Sequence, residues 1–588
     1  MQHSDNVISP PQTNTPPALV RLTVEVALYI VIVSPALGLR LFNLSAYPLT
    51  NAEASQALAA LDIYNGQVPE ITGYSPLMAS LMSFAFVLFS PSDWAARLPA
   101  VLLGTILVAL PFGLRKQLGI FGALATSILL TVSATTLFWS RAAGGDIAVA
   151  VGLLLLLLGG VKFLTEGESP GLYAIAAGVV FLLLSAPAGY TALLVLGIVT
   201  LIVWIANRGA FSATQEKVSA AGDAFRGAVF FFAGLFFVLA TAGLFNLTGV
   251  AVVSEIFTVW LGQFQLQMQP GAGFPAIFNL LFYEPLILLF GLAGVVAALW
   301  NRHLLDWLLA TWTAIFLIID LAMGARSEGQ ILLAALPLAL LAGKQIGLLL
   351  EGWQTEARLD AEGLFAAIGL MVSVFIYISL VAWTKCTPAQ AGCNTAWILP
   401  VAGVALLSGL SIVFWMWYGP KMAWRGAGLV LLFVGGVLSL GAAWKLSYSP
   451  LSHLPYQPVL QLAPSTRLPA MMDEIERLSM ARLGDSRQID VVVVDLDEAA
   501  LRWSLRNFRQ ARFEPDFHSA DNASLIIARP DAGQPLEGAY VGQDFALVSF
   551  WTPNLLQGKE WLRWYLYRHL PTSLPGSDQV VLWAKTQE

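Results

Sequence analysis

Glu53 lies in the stretch Tyr47-Pro48-Leu49-Thr50-Asn51-Ala52-Glu53-Ala54, just ahead of a helix-like Ser55–Tyr64. Arg141 and Asp146 flank a short turn in Trp139-Ser140-Arg141-Ala142-Ala143-Gly144-Gly145-Asp146. Arg97 opens one apolar segment, and Arg326 with Glu328 opens another. A carboxylate so placed can accept a proton from an attacking hydroxyl, and an arginine can hold a phosphate leaving group through two parallel hydrogen bonds. Each residue alone has an ordinary explanation as an interfacial anchor or a solvated charge. A shared face would give them a common purpose, because charge kept near hydrocarbon is costly and is usually retained for function.

The elements that must position them are membrane helices. Of 588 residues 57% are apolar and 12% charged, with a mean hydropathy of +0.70, whereas a soluble protein carries nearer a quarter charged residues. The charge is unevenly spread. Residues 1–445 hold 18 Lys/Arg and 20 Asp/Glu, and the much shorter 446–588 holds 13 and 17. The first part reads as membrane and the second as a water-exposed domain. A net charge of −6 with basic residues scattered singly excludes a nucleic-acid surface. Two cysteines exclude a disulfide scaffold, no Cys/His cluster has zinc-ligand spacing, and neither Gly-x-Gly-x-x-Gly nor a P-loop is present. His3, His303, His453, His518 and His569 are far apart in sequence.

Thirteen segments are long and apolar enough to cross about 30 Å of hydrocarbon: 22–39, 98–114, 118–138, 145–164, 171–185, 187–206, 227–248, 279–300, 304–322, 329–350, 363–384, 395–417 and 424–445. The first lacks an A-x-A-like cleavage site and reads as a retained span rather than a signal peptide. Ser75–Phe89 is a shorter fourteenth stretch bounded by Pro76 and Pro91. Placed at the interface, it gathers Arg21, Arg115, Lys116, Lys162, Arg208, Lys217, Arg226, Arg302, Lys344, Arg358, Lys421 and Arg425 on one side, against Arg40, Arg97, Arg141, Arg326 and Lys385 on the other. Lys/Arg excess marks the cytoplasmic side. The expected layout is therefore a polar cytoplasmic N-terminus 1–21, a transmembrane region 22–445 with external loops 40–97 and 249–278, and an external C-terminal part. Cys386 and Cys393 then fall outside, where a disulfide could persist; two unpaired thiols are the alternative.

Residues 446–470 are Pro- and Ser-rich and read as a linker to an α/β domain at 471–588. Helical spacing at Met471–Arg482 and Glu498–Arg509 alternates with strand-like Gln488–Asp495, Ala523–Ala528, Asp544–Phe550 and Gln579–Ala584, with an amphipathic Gly558–His569 helix before the last. Trp561, Trp564, Tyr565 and Tyr567 on that helix suit packing better than a sugar platform. Asp490, Asp495, Asp497 and Glu498 are explained by strand positions and a helix start without a metal. Gly159-Gly160 and Gly435-Gly436 suggest close helix packing. Glu25 and Asp320 are the acids expected within hydrocarbon depth, where a transporter would use them as ion relays.

Leu39-Arg40-Leu41-Phe42-Asn43-Leu44, Pro48-Leu49 and Ala52-Glu53-Ala54 resemble the first external loop of GT-C membrane glycosyltransferases of the protein O-mannosyltransferase and aminoarabinose transferase (family 39-like) type. Tyr74-Ser75-Pro76-Leu77 resembles that family's juxtamembrane helix. Arg97-Leu98-Pro99-Ala100 and Phe138-Trp139-Ser140-Arg141 look like its Arg-Leu-Pro-Ser and Tyr-Ser-Arg stretches. Tyr283-Glu284-Pro285-Leu286 and Leu501-Arg502-Trp503-Ser504-Leu505-Arg506 look most like a prokaryotic flippase-associated, mannosyltransferase-like subgroup.

The resemblance implies a multi-pass protein of the cell membrane that moves a sugar, mannose-like, from a polyprenyl-phosphate donor to a protein, glycan or lipid acceptor at the outer face. It implies no metal and no cofactor beyond the lipid-linked sugar phosphate. Arg141 and Arg326, with Arg97, Tyr74 and Glu284, would bind substrate. The family has an Asp-Glu pair where this chain has Ala52-Glu53, so the usual base is missing. Glu53 then becomes the expected base, with Asp146 as a second carboxylate. A catalytically inert relative that binds lipid-linked glycans, and a flippase or transporter component, are the alternatives.

Overall fold

The structure is a computed structural model that describes residues 24–586 except 207–214, 266–273, 302, 357–358, 387–391, 461, 518–522, 533–539, 551–555, 557 and 569–575. The N-terminus 1–21, with Arg21, and the basic residues Arg208, Arg302 and Arg358 lie outside the described residues, as do His3, His518 and His569.

The chain is a multi-pass membrane protein. Among the described residues ten helices are long and apolar enough to cross a bilayer, from Val24–Leu41 to Pro420–Tyr448. One further apolar pair is sharply bent: Ala276–Tyr283 and Pro285–Asn301 meet at 116° with Glu284 at the corner, where Pro285 cannot continue the hydrogen-bond ladder, and counted as one span it makes eleven. The expected segment 118–138 is also interrupted, with helices Ile120–Val132 and Ala134–Trp139 separated by Ser133. Its first half and Pro170–Ser185 are shorter apolar helices of 13 and 16 residues. Each of the thirteen expected segments thus contains a helix, but three are bent or short, and the helix expected over 227–248 ends at Ala240. Pro76–Phe89, with Ser75 capping its first turn and Pro76 at the position where a missing N–H costs nothing, is 14 residues long.

Ion pairs divide the membrane part into two ends. Arg115 with Glu25, Lys116 with Glu166, Lys162 with Glu168, Lys344 with Asp306 and Arg425 with Glu362 join residues expected on one side of the bilayer. Arg97 with Glu53 and Arg326 with Asp320 join residues of the other. Glu25 and Asp320 sit in these end clusters rather than at mid-depth. Of the glycine pairs, Gly159 packs against the Gly171 carbonyl, which a Cβ would approach to 2.5 Å, and Gly435 packs on Leu286. Gly160 and Gly436 face open space, so only one glycine of each pair serves helix approach.

The tail folds into a six-stranded mixed sheet in the order β1-β5-β6-β4-β2-β3, with β1 Ala463–Pro464, β2 Val491–Val494, β3 Ala511–Glu514, β4 Leu525–Ala528, β5 Tyr540–Phe550 and β6 Gly576–Lys585. β2 runs parallel to β3 and β4, and β6 runs antiparallel to β4 and β5. The edge strand β3, Ala-Arg-Phe-Glu, has no apolar run to mark it in the sequence. Residues 446–470 are not a loose linker. The last membrane helix continues to Tyr448, and Leu454, Tyr456, Val459 and Leu460 are buried. Apolar side chains between the Pro and Ser residues gain by burial what an extended linker would forgo.

The tail is seated on the 40–97 segment. The Ala500 N–H donates to Asn51 Oδ1 at 2.9 Å, and the Asn51 amide donates to the Glu498 carboxylate. The Trp503 indole N–H donates to Asp93 at 2.7 Å, and its ring stacks on Phe86. Asp490 pairs with Arg512 and Asp497 with Arg502. Trp564 is fully buried and donates to the Tyr456 carbonyl, and Trp561 stacks on Phe282 of the bent pair, so these aromatics pack the helix Lys559–Tyr567 onto the membrane part. Cys386 and Cys393 form a disulfide, with Cα atoms 5.7 Å apart.

Candidate active site

A cavity of about 420 Å³ opens where the 40–97 segment, the turn 140–146, the segment 326–328 and the packed 447–464 stretch meet. Its walls include Glu53, Arg97, Arg141, Asp146, Arg326 and Glu328, residues separated by up to 275 positions in sequence. The fold therefore brings six of the eight residues singled out in the sequence to one place.

Glu53 is held by its own helix first. Thr50 caps Asn51–Tyr64 by accepting from the Glu53 N–H, and the Glu53 carboxylate accepts from the Thr50 N–H at 3.0 Å, a reciprocal capping box. The same carboxylate accepts from Arg97 Nε and Nη2, both at 2.8 Å, and from the Ala143 N–H at 2.9 Å. Four donors thus occupy its two oxygens. Burial pushes the carboxyl up, but the Arg97 guanidinium and the two backbone N–H groups outweigh it and hold the group below the usual carboxylate range. Arg97 spends its remaining N–H groups on the carbonyls of Leu44, Tyr47 and Pro48. This pair is closed: its charge is neutralised and its hydrogen bonds are filled.

Arg141 is anchored differently. Its Nη1 donates to the carbonyls of Leu39, Arg40 and Phe42 at 3.1, 2.9 and 2.6 Å, and Nη2 to that of Asn43 at 3.1 Å. Its guanidinium lies 4.6 Å from the centre of the Tyr448 ring. Carbonyls at the C-terminus of the first helix favour a cation, but they are dipoles, and among the described residues Arg141 forms no ion pair. Burial pulls its pKa below the usual arginine value, yet a guanidinium stays charged at any physiological pH. Arg326 donates through Nε to the Asp320 carbonyl at 3.0 Å and lies 3.7 Å from its carboxylate.

Asp146 is the first residue of the helix Asp146–Leu164. Gly329 packs so closely on its side chain that a Cβ there would meet the carboxyl carbon at 2.1 Å, and the Gly145 Cα abuts the Ser185 carbonyl in the same way. The backbone therefore approaches Asp146 from two sides. One carboxylate oxygen, Oδ1, is buried and accepts no hydrogen bond among the described residues. This is the inverse of Glu53: a carboxylate in the same cavity with capacity to spare.

Tyr74 and Glu284 are not brought to the cavity. The Tyr74 hydroxyl accepts from the Asn246 amide at 2.7 Å in the protein interior, while its neighbours Gly73 and Ser75 reach the cavity wall. Glu284 is fully buried at the corner of the bent pair, where it accepts from the Ser133 hydroxyl at 2.7 Å and from the Thr135 N–H and hydroxyl at 2.8 and 2.6 Å. It thus caps the helix that follows the Ser133 break and fixes that break to the corner. Sequence reasoning missed Tyr47, Asn51 and Gln56, as well as Leu454, Leu460, Leu462 and Pro464, which give the cavity an apolar wall. The apolar side chains within the Pro-rich stretch were the available signal. Among the described residues no three His, Cys, Asp or Glu side chains cluster as metal ligands.

No protein-family model and no curated protein matches the chain. Among solved structures, ArnT from Cupriavidus metallidurans bound to undecaprenyl phosphate aligns over 95% of this chain and 99% of that one, at 14% identity and a TM-score of 0.55. The apo state of the same protein aligns over 87% and 94%, at 15% identity and a TM-score of 0.53. Identity this low speaks for the fold, and the correspondence runs through both the membrane helices and the tail. The chain accordingly has a GT-C-like membrane fold with a C-terminal α/β domain.

Proposed function

We propose that the cavity transfers a sugar from a polyprenyl-phosphate carrier to an acceptor hydroxyl at the outer face of the membrane, with Asp146 rather than Glu53 as the base. The observation that carries this is the contrast within one cavity between a carboxylate with four donors and one with a buried, unoccupied oxygen. A base needs a carboxylate that donors have not already neutralised, and Asp146 lines the cavity with no ion pair and no donor on Oδ1 among the described residues.

The acceptor hydroxyl loses its proton to Asp146 as its oxygen attacks the anomeric carbon, and the bond from that carbon to the phosphate oxygen breaks. Arg141 and Arg326 hold the departing phosphate, whose growing charge they stabilise without reorganising. Glu53 acts as a positioning residue: through Arg97 and the Ala143 N–H it fixes the turn that presents Arg141 and Asp146. A mannose-like sugar, a protein, glycan or lipid acceptor, and catalysis without metal or cofactor belong to this reading. Bound undecaprenyl phosphate in ArnT and the shared fold support the lipid carrier, and the two-ended charge distribution supports a cytoplasmic N-terminus with an external tail.

The test is transfer from polyprenyl-phosphate sugars by the purified protein in detergent. Asp146→Asn is expected to bind donor and abolish turnover. Full turnover in that variant would overturn the base assignment, and donor binding without turnover in the wild type would select the inert alternative.

A further inference from the structure

A second cavity, of about 290 Å³, lies away from the first, between the helices Leu359–Lys385 and Pro420–Tyr448 and beneath the tail helix Lys559–Tyr567. Its walls are apolar: Val374, Tyr377, Phe433 and Val437 are each about half exposed on the surface of the helices, at 55, 48, 57 and 57%. Gly441 deepens the floor. At the end nearest the tail stand two cations, Lys445 and Arg568.

Among the described residues these cations have no counter-anion. Arg568 is only 5% exposed. Its Nη2 donates to the Phe282 carbonyl, its guanidinium lies 4.8–5.0 Å from the centres of the Tyr283, Trp564 and Tyr565 rings, and Nη1 has no hydrogen-bond partner among the described residues. Lys445 Nζ donates to the Leu566 carbonyl at 2.6 Å. Among the described residues neither cation forms an ion pair, and residues 569–575, which follow Arg568, contain no Asp or Glu. Aromatic faces and carbonyls offer partial charge only. Two cations gathered at a buried site are costly without an anion. Arg568 is moreover held at φ +57°, a left-handed backbone that a non-glycine residue adopts at a cost.

We propose that this groove binds an anionic phospholipid of the outer leaflet, its phosphate on Arg568 and Lys445 and one acyl chain along Val437 and Phe433. The dimensions favour that occupant. From Lys445 to Phe433 the helix rises about 18 Å, the length of a single extended acyl chain and roughly half of the hydrocarbon thickness. A polyprenyl chain is several times longer. Basic pockets between membrane helices commonly take lipid phosphates, and Arg suits the bidentate geometry. The site is also tied to the bent helix pair: Arg568 reaches Phe282, Gln457 joins the Arg568 carbonyl to the Tyr283 hydroxyl, and Tyr283 adjoins the Glu284 corner.

Native mass spectrometry of the full-length protein in detergent tests this, using phosphatidylglycerol, phosphatidylcholine with the same acyl chains, and undecaprenyl phosphate as probes. Wild type should retain phosphatidylglycerol about tenfold better than phosphatidylcholine, and Arg568→Gln should erase the preference. Val437→Trp, which fills the groove and keeps both cations, should lose phosphatidylglycerol and keep undecaprenyl phosphate. Lys445→Gln replaces Arg568→Gln if the latter does not fold. Equal retention of the two phospholipids by wild type, or equal phosphatidylglycerol retention in all variants, overturns the proposal. Displacement of phosphatidylglycerol by undecaprenyl phosphate also overturns it, by assigning the groove to the carrier lipid.

Discussion

Glu53 and Asp146 face one cavity and are held in opposite ways. Glu53 sits in a loop helix where Thr50, Arg97 and the Ala143 N–H saturate it, so its value is in holding other residues still. Asp146 begins a membrane helix, squeezed by Gly329, with an oxygen that accepts no hydrogen bond among the described residues. The number of donors that the fold aims at a carboxylate decides whether its charge is already neutralised or still open, which is the contrast the proposed roles rest on. The arginines divide in the same way: Arg97 is neutralised by Glu53, whereas Arg141 is held by carbonyls and the Tyr448 side chain and forms no ion pair among the described residues.

The largest way to break this contrast is Asp146→Asn, which should lower turnover by about 10²–10⁴-fold, the usual worth of a general base, with thermal stability unchanged. Glu53→Gln should do the reverse, costing about 3–5 kcal/mol of stability because it strands Arg97 as a buried charge. Activity per folded molecule should then fall mainly through misplacement of the turn at Arg141, and a melting curve beside a turnover assay separates the two. Trp503→Phe keeps the stack on Phe86 and removes the bond to Asp93; it should cost about 1 kcal/mol and loosen the tail over the loop, seen as faster hydrogen exchange at Asn51–Tyr64.

Acidification sharpens the comparison with the smallest effect. Because Glu53 is held below the usual carboxylate range in the folded protein, its contribution is complete above the unfolded value and is lost as pH falls through the lower folded value. Wild type should therefore lose melting temperature in that acid window, and Glu53→Gln should lose less there.

Much of this was legible from residue order. Apolar runs gave every membrane helix, because about 30 Å of hydrocarbon demands a long apolar segment whatever its neighbours are. The alternation after residue 470 gave the tail's class, though not β3, whose charged side chains hide a strand made by pairing alone. The resemblance around Glu53, Arg97 and Arg141 named the residues that the fold gathers. It also made Glu53 the expected base, since a sequence shows that a carboxylate is present but not how many donors surround it.

Glu284 and the 446–470 stretch show the same boundary. Pro285 marks a break, yet the partners that turn Glu284 into a cap, Ser133 and Thr135, lie about 150 positions away. The Pro-rich composition at 446–470 suggested a linker, while Leu454 and Leu460 found a surface to bury against. The sequence by itself determined the membrane helices, the polar tail and the short set of charges kept outside the hydrocarbon, because transfer free energy depends on local composition. The tertiary structure alone decided which of those charges are paired and which stay open, because hydrogen bonding and desolvation depend on neighbours brought from elsewhere in the chain.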